Sequence, residues 1–527
     1  MLRYIRLILK RERLGSLIWL LGMVGCIVGF APLYVNLFST PEELHAIAMT
    51  VNAPAMIALI GPVFGLDSLT PAMVMAQQAL FLFIAAIAVM NVFFVVRHTR
   101  ADEELGRMEV LRSLPIGRLT SAIATLAGAA MLNLGISLLS FLGLVALKVE
   151  GTTIAGAFVY CFAIGISGLF FAGLALLMCQ LLSSSRGAAT GFFAMFGLFF
   201  MLRAMGDVQE SWLSWVSPLG IPLQVYAFYD NNFFPIVLML ILTAIVAAGA
   251  LWVCQRRDLG EGVIPARRGK GEASRLLLNP LGFAWRLSRG SFVGWSVAVS
   301  LFGAMYGAVL MMDDFLEIEM LQALLETLGD TGNLLHGFVS MLFLIMSLLA
   351  AVPVISCFKR LRGEEKHHRL EQLYARSVCR TKMMLSFLAV AVLFSVAMPL
   401  LSGLGMYAAS VGATGLSLGE FMQAAMSYVP AIWATLGLCA LLVGLLPKLT
   451  SLAWVYFGFT FFFNYIGRLA LPEEAAEFAA QLTPFGWIAQ LPVQEFRWAP
   501  LIALTGIAVA LCAAGLWGYR RRDIGRT

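Results

Sequence analysis

The sequence predicts an all-α membrane protein of twelve transmembrane helices, arranged as two parallel six-span half-repeats. Three observations predict it. First, 60% of the 527 residues are hydrophobic and only 13% are charged, with a mean hydropathy of +0.86. That is more apolar surface than a soluble domain of this size can bury. Second, a charged segment occurs twice, RHTRADEELGRMEVLRSLPIGR at 97–118 and KRLRGEEKHHRLEQLYARSVCR at 359–380, in register at an offset of 262 without a gap. Third, positive charge gathers on one side. With both termini in the cytoplasm, all 36 Lys and Arg except Lys148, Arg203, Arg468 and Arg497 fall in cytoplasmic segments, as the positive-inside rule requires.

Taken in order, residues 1–13, MLRYIRLILKRER, combine five basic residues with a Leu/Ile stripe. They are expected to form a helix in the cytoplasmic interface beside anionic lipid. The apolar run that follows is too long for a signal peptide and has no small-residue cleavage site. Spans are expected at about 14–37, 72–96, 119–147, 153–182, 187–206 and 233–254, then at 292–311, 338–357, 383–409, 426–447, 449–467 and 498–519. Each can cross a core that needs ~20 residues.

The repeat extends beyond the charged segments. Arg203 precedes Arg468 by 265 residues, SPLG at 217–220 precedes TPFG at 483–486 by 266, and RRDLG at 256–260 precedes RRDIG at 521–525 by 265. The halves are therefore 1–260 and 281–527, joined by a basic cytoplasmic linker at 261–280. Six spans return each half to the same side, so the halves run parallel.

Within the charged segments, Glu103 with Arg107 and Glu365 with Arg369 stand at i,i+4 with the acid first, the helix-stabilising orientation. Pro115 is expected to end the first helix, and Ser377 replaces it in the second copy. A solvated loop accounts for one such segment. Two in register, with Glu109 matching Glu371 and Arg118 matching Arg380, point to a pair of sockets on something outside the chain.

Outside the membrane the halves differ. Residues 51–66 are apolar and Pro-broken, whereas 313–330 read as an acidic amphipathic helix covering the outer mouth. The turns at Pro218–Gly220 and Pro484–Gly486 lie in apolar runs too short to cross. They are expected either as re-entrant hairpins, since broken backbone needs cover, or as ordinary outer loops. Arg203 and Arg468 are expected to snorkel from outer span ends or to act as a pair at an external gate with those turns.

No catalytic constellation is present. The nearest approach to a phosphate loop, RRGKGE at 267–272, lacks the earlier Gly and the Ser/Thr after Lys. No acid falls in the middle of an expected span, although ion-driven carriers need a membrane-embedded group that changes charge. The eight cysteines form no CxxC and no metal spacing.

Together, E-x-G-R-x-E at 104–109 with P-x-x-R at 115–118, LRAMGD at 202–207, SPLG and RRDLG resemble the ABC type-2 permeases. Among these the chain is most similar to the fused twelve-span polyketide-antibiotic or multidrug exporter permeases of bacteria. The second copy departs from the pattern, with His368 for Gly106 and Ser377 for Pro115. The resemblance implies the ABC type-2 exporter fold in the bacterial plasma membrane. It implies export of a lipophilic antibiotic, drug or lipid-like compound, and two copies of a separate ATP-binding subunit that carry the ATP and Mg. It casts the charged repeat as coupling helices, with Glu103, Glu104, Arg107, Glu109 and Arg118 in the first and Glu364, Glu365, Arg369, Glu371 and Arg380 in the second. No cofactor, metal or nucleic acid is expected on this chain; membrane lipid and the substrate are its other partners. The rival reading is an ion-driven secondary multidrug carrier of the major-facilitator kind, whose charged loop EELGR at 103–107 resembles.

Overall fold

A backbone in hydrocarbon must satisfy its own N–H and C=O groups, so each apolar run becomes a helix. The computed structural model describes residues 2–37, 44–45, 52, 54–113, 117–265, 272, 274–310, 334–375, 378–410, 415–466 and 479–522. Eleven helices among them are long and apolar enough to cross a membrane. The described residues hold no named strand, only an isolated bridge between Leu182 and Ile264. The protein is an all-α membrane protein.

The chain divides into two units, Met1–Gly269 and Lys270–Thr527. In the first, α1 (Leu2–Arg11) and α2 (Arg13–Leu37) are followed by a short α3 (Pro54–Ile60) and the span α4 (Pro71–His98). Two small helices, α5 (Arg100–Glu104) and α6 (Arg107–Arg112), precede the spans α7 (Thr120–Leu147), α8 (Ile154–Leu181), α9 (Ser185–Val208) and α10 (Phe234–Arg256). Side-chain caps set several starts: Thr70, Thr153 and Ser184 accept from Met73, Gly156 and Gly187 amides, satisfying donors the helix leaves open. Helices α4 and α8 are the most buried spans and form the centre of this unit.

The second unit repeats the plan. Its spans are α11 (Pro280–Val309), α12 (Leu334–Lys366), α14 (Arg380–Ala409), the broken pair α15 (Leu418–Ser427) and α16 (Val429–Leu445), and α18 (Trp498–Arg521). The small α13 (Arg369–Tyr374) follows α12, and α17 (Leu452–Phe461) passes into a π-helical turn at Phe462–Ile466. Helix α12 and the α15–α16 pair are its buried centre. Two expectations change. The seventh span begins at Pro280, not near 292, because Asn279 caps it and Arg286 and Arg289 fit its polar first turns. The stretch expected at 449–467 yields only the shorter apolar helix Leu452–Asn464, and residues 467–478 lie outside the described ones. The acidic stretch at 313–330 also lies outside them.

Packing in each unit reflects small or paired polar residues, as it must where lipid offers no hydrophobic drive between helices. A Cβ on Gly444 would stand 1.9 Å from the Gly515 carbonyl oxygen, and one on Gly515 would stand 2.4 Å from that of Ala440. Only glycine lets α16 and α18 approach so closely. In the first unit Asn91 of α4 and Asn133 of α7, both fully buried, exchange two amide hydrogen bonds of 3.0 and 2.9 Å. Asn91→Leu leaves the Asn133 oxygen without its donor, while its amide nitrogen keeps the Ala129 carbonyl, and is expected to cost ~1–2 kcal/mol, read as a lower melting temperature in detergent. Full recovery on also replacing Asn133 by Leu is the expected control, since removing both partners is nearly neutral.

Candidate functional site

The two charged repeats fold alike, though not as one helix each. In the first copy the chain turns at Gly106, whose left-handed backbone (φ 69, ψ 4) separates α5 from α6. That break swings Arg107 away from Glu103, so the expected i,i+4 pair does not form. Arg107 instead meets Asp102 at 2.8 Å. In the second copy His368 takes the same left-handed conformation (φ 57, ψ 15) between α12 and α13, and Arg369 meets Glu364 at 3.2 Å in place of Glu365. A side chain in that region costs ~1–2 kcal/mol. The departure from glycine in sequence is thus no departure in shape.

Released from the i,i+4 pairs, Glu103 and Glu365 turn inward. Glu103 accepts from Arg100 at 2.7 Å and from Arg257, with side-chain exposures of 8%, 1% and 6% for the three. Glu365 accepts from Arg362 at 3.1 Å and from Arg522, with exposures of 3%, 14% and 12%. These are matching Arg–Glu–Arg clasps. Arg100 also donates to the carbonyls of Ser183, Gly260 and Glu261. Arg118 donates to the Gln255 carbonyl at 3.4 Å and Arg380 to that of Arg522 at 3.0 Å. Each clasp ties the end of a unit's second span to the end of its last span. Arg257 and Arg522 belong to the repeated RRDLG and RRDIG motifs. Their recurrence was the only sign in the sequence of this role.

Of the remaining acids, Glu104, Glu109 and Glu371 face outward, whereas Asp102 is buried between Arg11 and Arg107. Glu109 is exposed, and Glu371 is exposed beside His368 at 2.7 Å. Glu104 accepts from the Ser185 amide at 2.7 Å and from its hydroxyl, fixing α5 to the start of α9. Helix α1 adds a tether in the first unit. Its Arg11 forks onto Asp102 with bonds of 2.8 and 3.1 Å, and this contact raises the Arg11 guanidinium further above its ordinary pKa. In the second unit Tyr374 and Tyr519 share a 2.7 Å hydroxyl contact; burial is the main cause lifting the Tyr374 phenol above its usual range.

Helix α9 starts beside Glu104 and carries Arg203 to its far end. Arg203 does not snorkel: its exposure is 0%. The guanidinium lies 4.5 Å and 4.9 Å from the ring centroids of Phe81 and Phe200, a cation–π cage. It donates to the carbonyls of Ala58 and Leu59 and meets Asp207 at 3.4 Å. The reason is α3, whose C-terminal carbonyls offer the cation partners that water would otherwise supply. Beyond α9 the chain passes through Pro218 and Gly220 with Ser217–Val225 buried. The matching turn at Pro484 and Gly486 is half-buried. A Cβ on Gly220 would stand 2.1 Å from the Ser214 carbonyl, and one on Gly486 2.2 Å from that of Ala480. Glycine is therefore required at the same place in both. Arg468 lies outside the described residues.

Long apolar helices with internal polar clamps, and buried ion pairs gathered where spans end, define a multi-pass membrane protein built as two like units. Residues 277–520 match the family described as multidrug efflux system permease Rv1217c, C-terminal domain. Over 532 residues the chain is 34% identical to the multidrug efflux system permease protein Rv1217c of Mycobacterium tuberculosis (strain ATCC 25618 / H37Rv), covering 99% of this chain and 94% of the relative. The chain belongs to this family of multidrug efflux permeases.

Proposed function

We propose that the chain is the permease of an ATP-binding-cassette exporter of type 2, placed in the bacterial plasma membrane with both termini cytoplasmic. Two copies of a separate ATP-binding subunit supply ATP and Mg, and the cargo is a lipophilic drug, antibiotic or lipid-like compound. The observation that carries this reading is the pair of matched charged elements, each clasped to the last span of its own unit. An exposed element clasped in this way moves its spans when it is pushed. Closure of two ATP-binding subunits would shift both elements as rigid bodies, with the clasps passing the displacement to α4 and α10 and to α12 and α18. The glycine turns at Gly220 and Gly486, with Pro218, Pro484 and the caged Arg203, would form the external gate.

Glu109 and Glu371 test it. If each meets a cation of the partner, its loss leaves that cation unpaired and costs ~2–5 kcal/mol of binding; a merely solvated acid costs within ~0.5 kcal/mol. Glu109→Ala is expected to reduce co-purification of the ATP-binding subunit and transport-linked ATPase more than Glu371→Ala, since Glu371 already has His368. Normal assembly and activity in the double variant would overturn the docking role.

A further inference from the structure

Although their backbones match, the outward faces of the two elements differ in chemistry. The first exposes Leu105 (53%) and Val110 (71%) among Glu104, Arg107 and Glu109. At the corresponding positions the second exposes His367 and Gln372, flanked by Lys366, His368, Arg369 and Glu371. One face is apolar with mixed charge; the other has no exposed aliphatic residue in the same stretch and is mainly cationic. A second observation separates them further. Between α1 and α6 lies a cavity of about 300 Å³, walled by Leu7, Ile8, Val110 and Leu111, with Arg11, Asp102 and Arg107 at its edge. Leu7 is 53% exposed at its mouth.

We propose that the two elements dock by different physics. The groove between α1 and α6 receives a large apolar side chain of the ATP-binding subunit, with an acid beside it facing Arg11 or Arg107. The second element is held by charge, its Lys366 and Arg369 against an acidic rim and its Glu371 against a cation. This rests on the docking role proposed above and adds what each socket must offer. The occupant follows from continuity and charge: the groove opens beside Val110 and Glu109, on the face that would meet the partner, and its two edge cations share the single Asp102, which leaves one positive charge to complement an acid. Apolar burial offers no charge for salt to screen, whereas exposed ion pairs are screened. The two contacts therefore separate by salt.

The test is retention of the co-expressed ATP-binding subunit on the purified, tagged permease at 0.1 and 1 M NaCl. In Leu7→Asn/Val110→Asn, retention depends on the ionic contact and is expected to fall at least tenfold between the two salts. In Lys366→Gln/Arg369→Gln it depends on the groove, with the Glu109 pair covered by the seated apolar side chain and so little screened, and is expected to change less than threefold. Lys366→Gln alone, at an exposed site, repeats the second arm without disturbing Glu364. Equal salt dependence in the two double variants overturns the inference. So does a groove variant that loses bound phospholipid in native mass spectra while keeping its partner, because the occupant is then a lipid. If the wild-type chain retains no ATP-binding subunit at either salt, the docking role itself fails, a result distinct from both.

Discussion

Glu103→Ala is expected to be among the most destabilising single substitutions in the chain, with Glu365→Ala close behind. Removing Glu103 leaves Arg100 and Arg257 charged and almost wholly enclosed, at 1% and 6% exposure. Breaking a buried ion pair from one side costs ~3–5 kcal/mol. The carbonyls of Ser183, Gly260 and Glu261 still hold Arg100, which places the loss near the lower end. Arg362 and Arg522 are somewhat more open, at 14% and 12%, so water relieves part of the cost in the second unit. Thermal unfolding in detergent measures both. Glu109→Ala, at an exposed position of the same segment, is the control that should melt with the parent. Unchanged melting of Glu103→Ala would mean that the clasp does not hold the unit together.

Arg203→Met is expected to cost a similar ~3–5 kcal/mol. Asp207, 5% exposed, would keep only the Ser214 hydroxyl, and the Ala58 and Leu59 carbonyls would lose their donor. Lysine is a poor substitute, because the guanidinium uses separate nitrogens for Asp207 and for α3 while its plane lies against two rings. Arg203→Met with Asp207→Leu should recover much of the stability, since no charge is then left enclosed. Melting of the single and double variants reads this directly. Equal destabilisation in both would show that the ring cage and α3 contacts, not the ion pair, carry the energy.

The spans were readable because long apolar runs leave the backbone no alternative to a helix, and the repeat placed both charged segments in register. The i,i+4 pairing was misread because that rule assumes an unbroken helix. Gly106 signalled the break in one copy, while His368, unusual in a left-handed conformation, concealed it in the other. The inward turn of Glu103 depends on Arg257, far along the chain, and no local spacing reports it. Arg203 was misjudged for the same reason, since its partners at 58–59 and Phe81 come from other elements. The span expected at 449–467 is described only as far as Ile466, where its apolar helix has passed into a π-helical turn.

The energy source separates an ATP-driven permease from an ion-driven carrier most directly. Uptake of a lipophilic dye into inverted membrane vesicles carrying the permease and the ATP-binding subunit proposed for it can be followed with ATP present and the proton gradient collapsed by an uncoupler. Uptake is expected to continue under the uncoupler and to stop when ATP is withdrawn. Uptake that ceases with the gradient and ignores ATP would contradict the ATP-driven reading and return the chain to the ion-driven carriers.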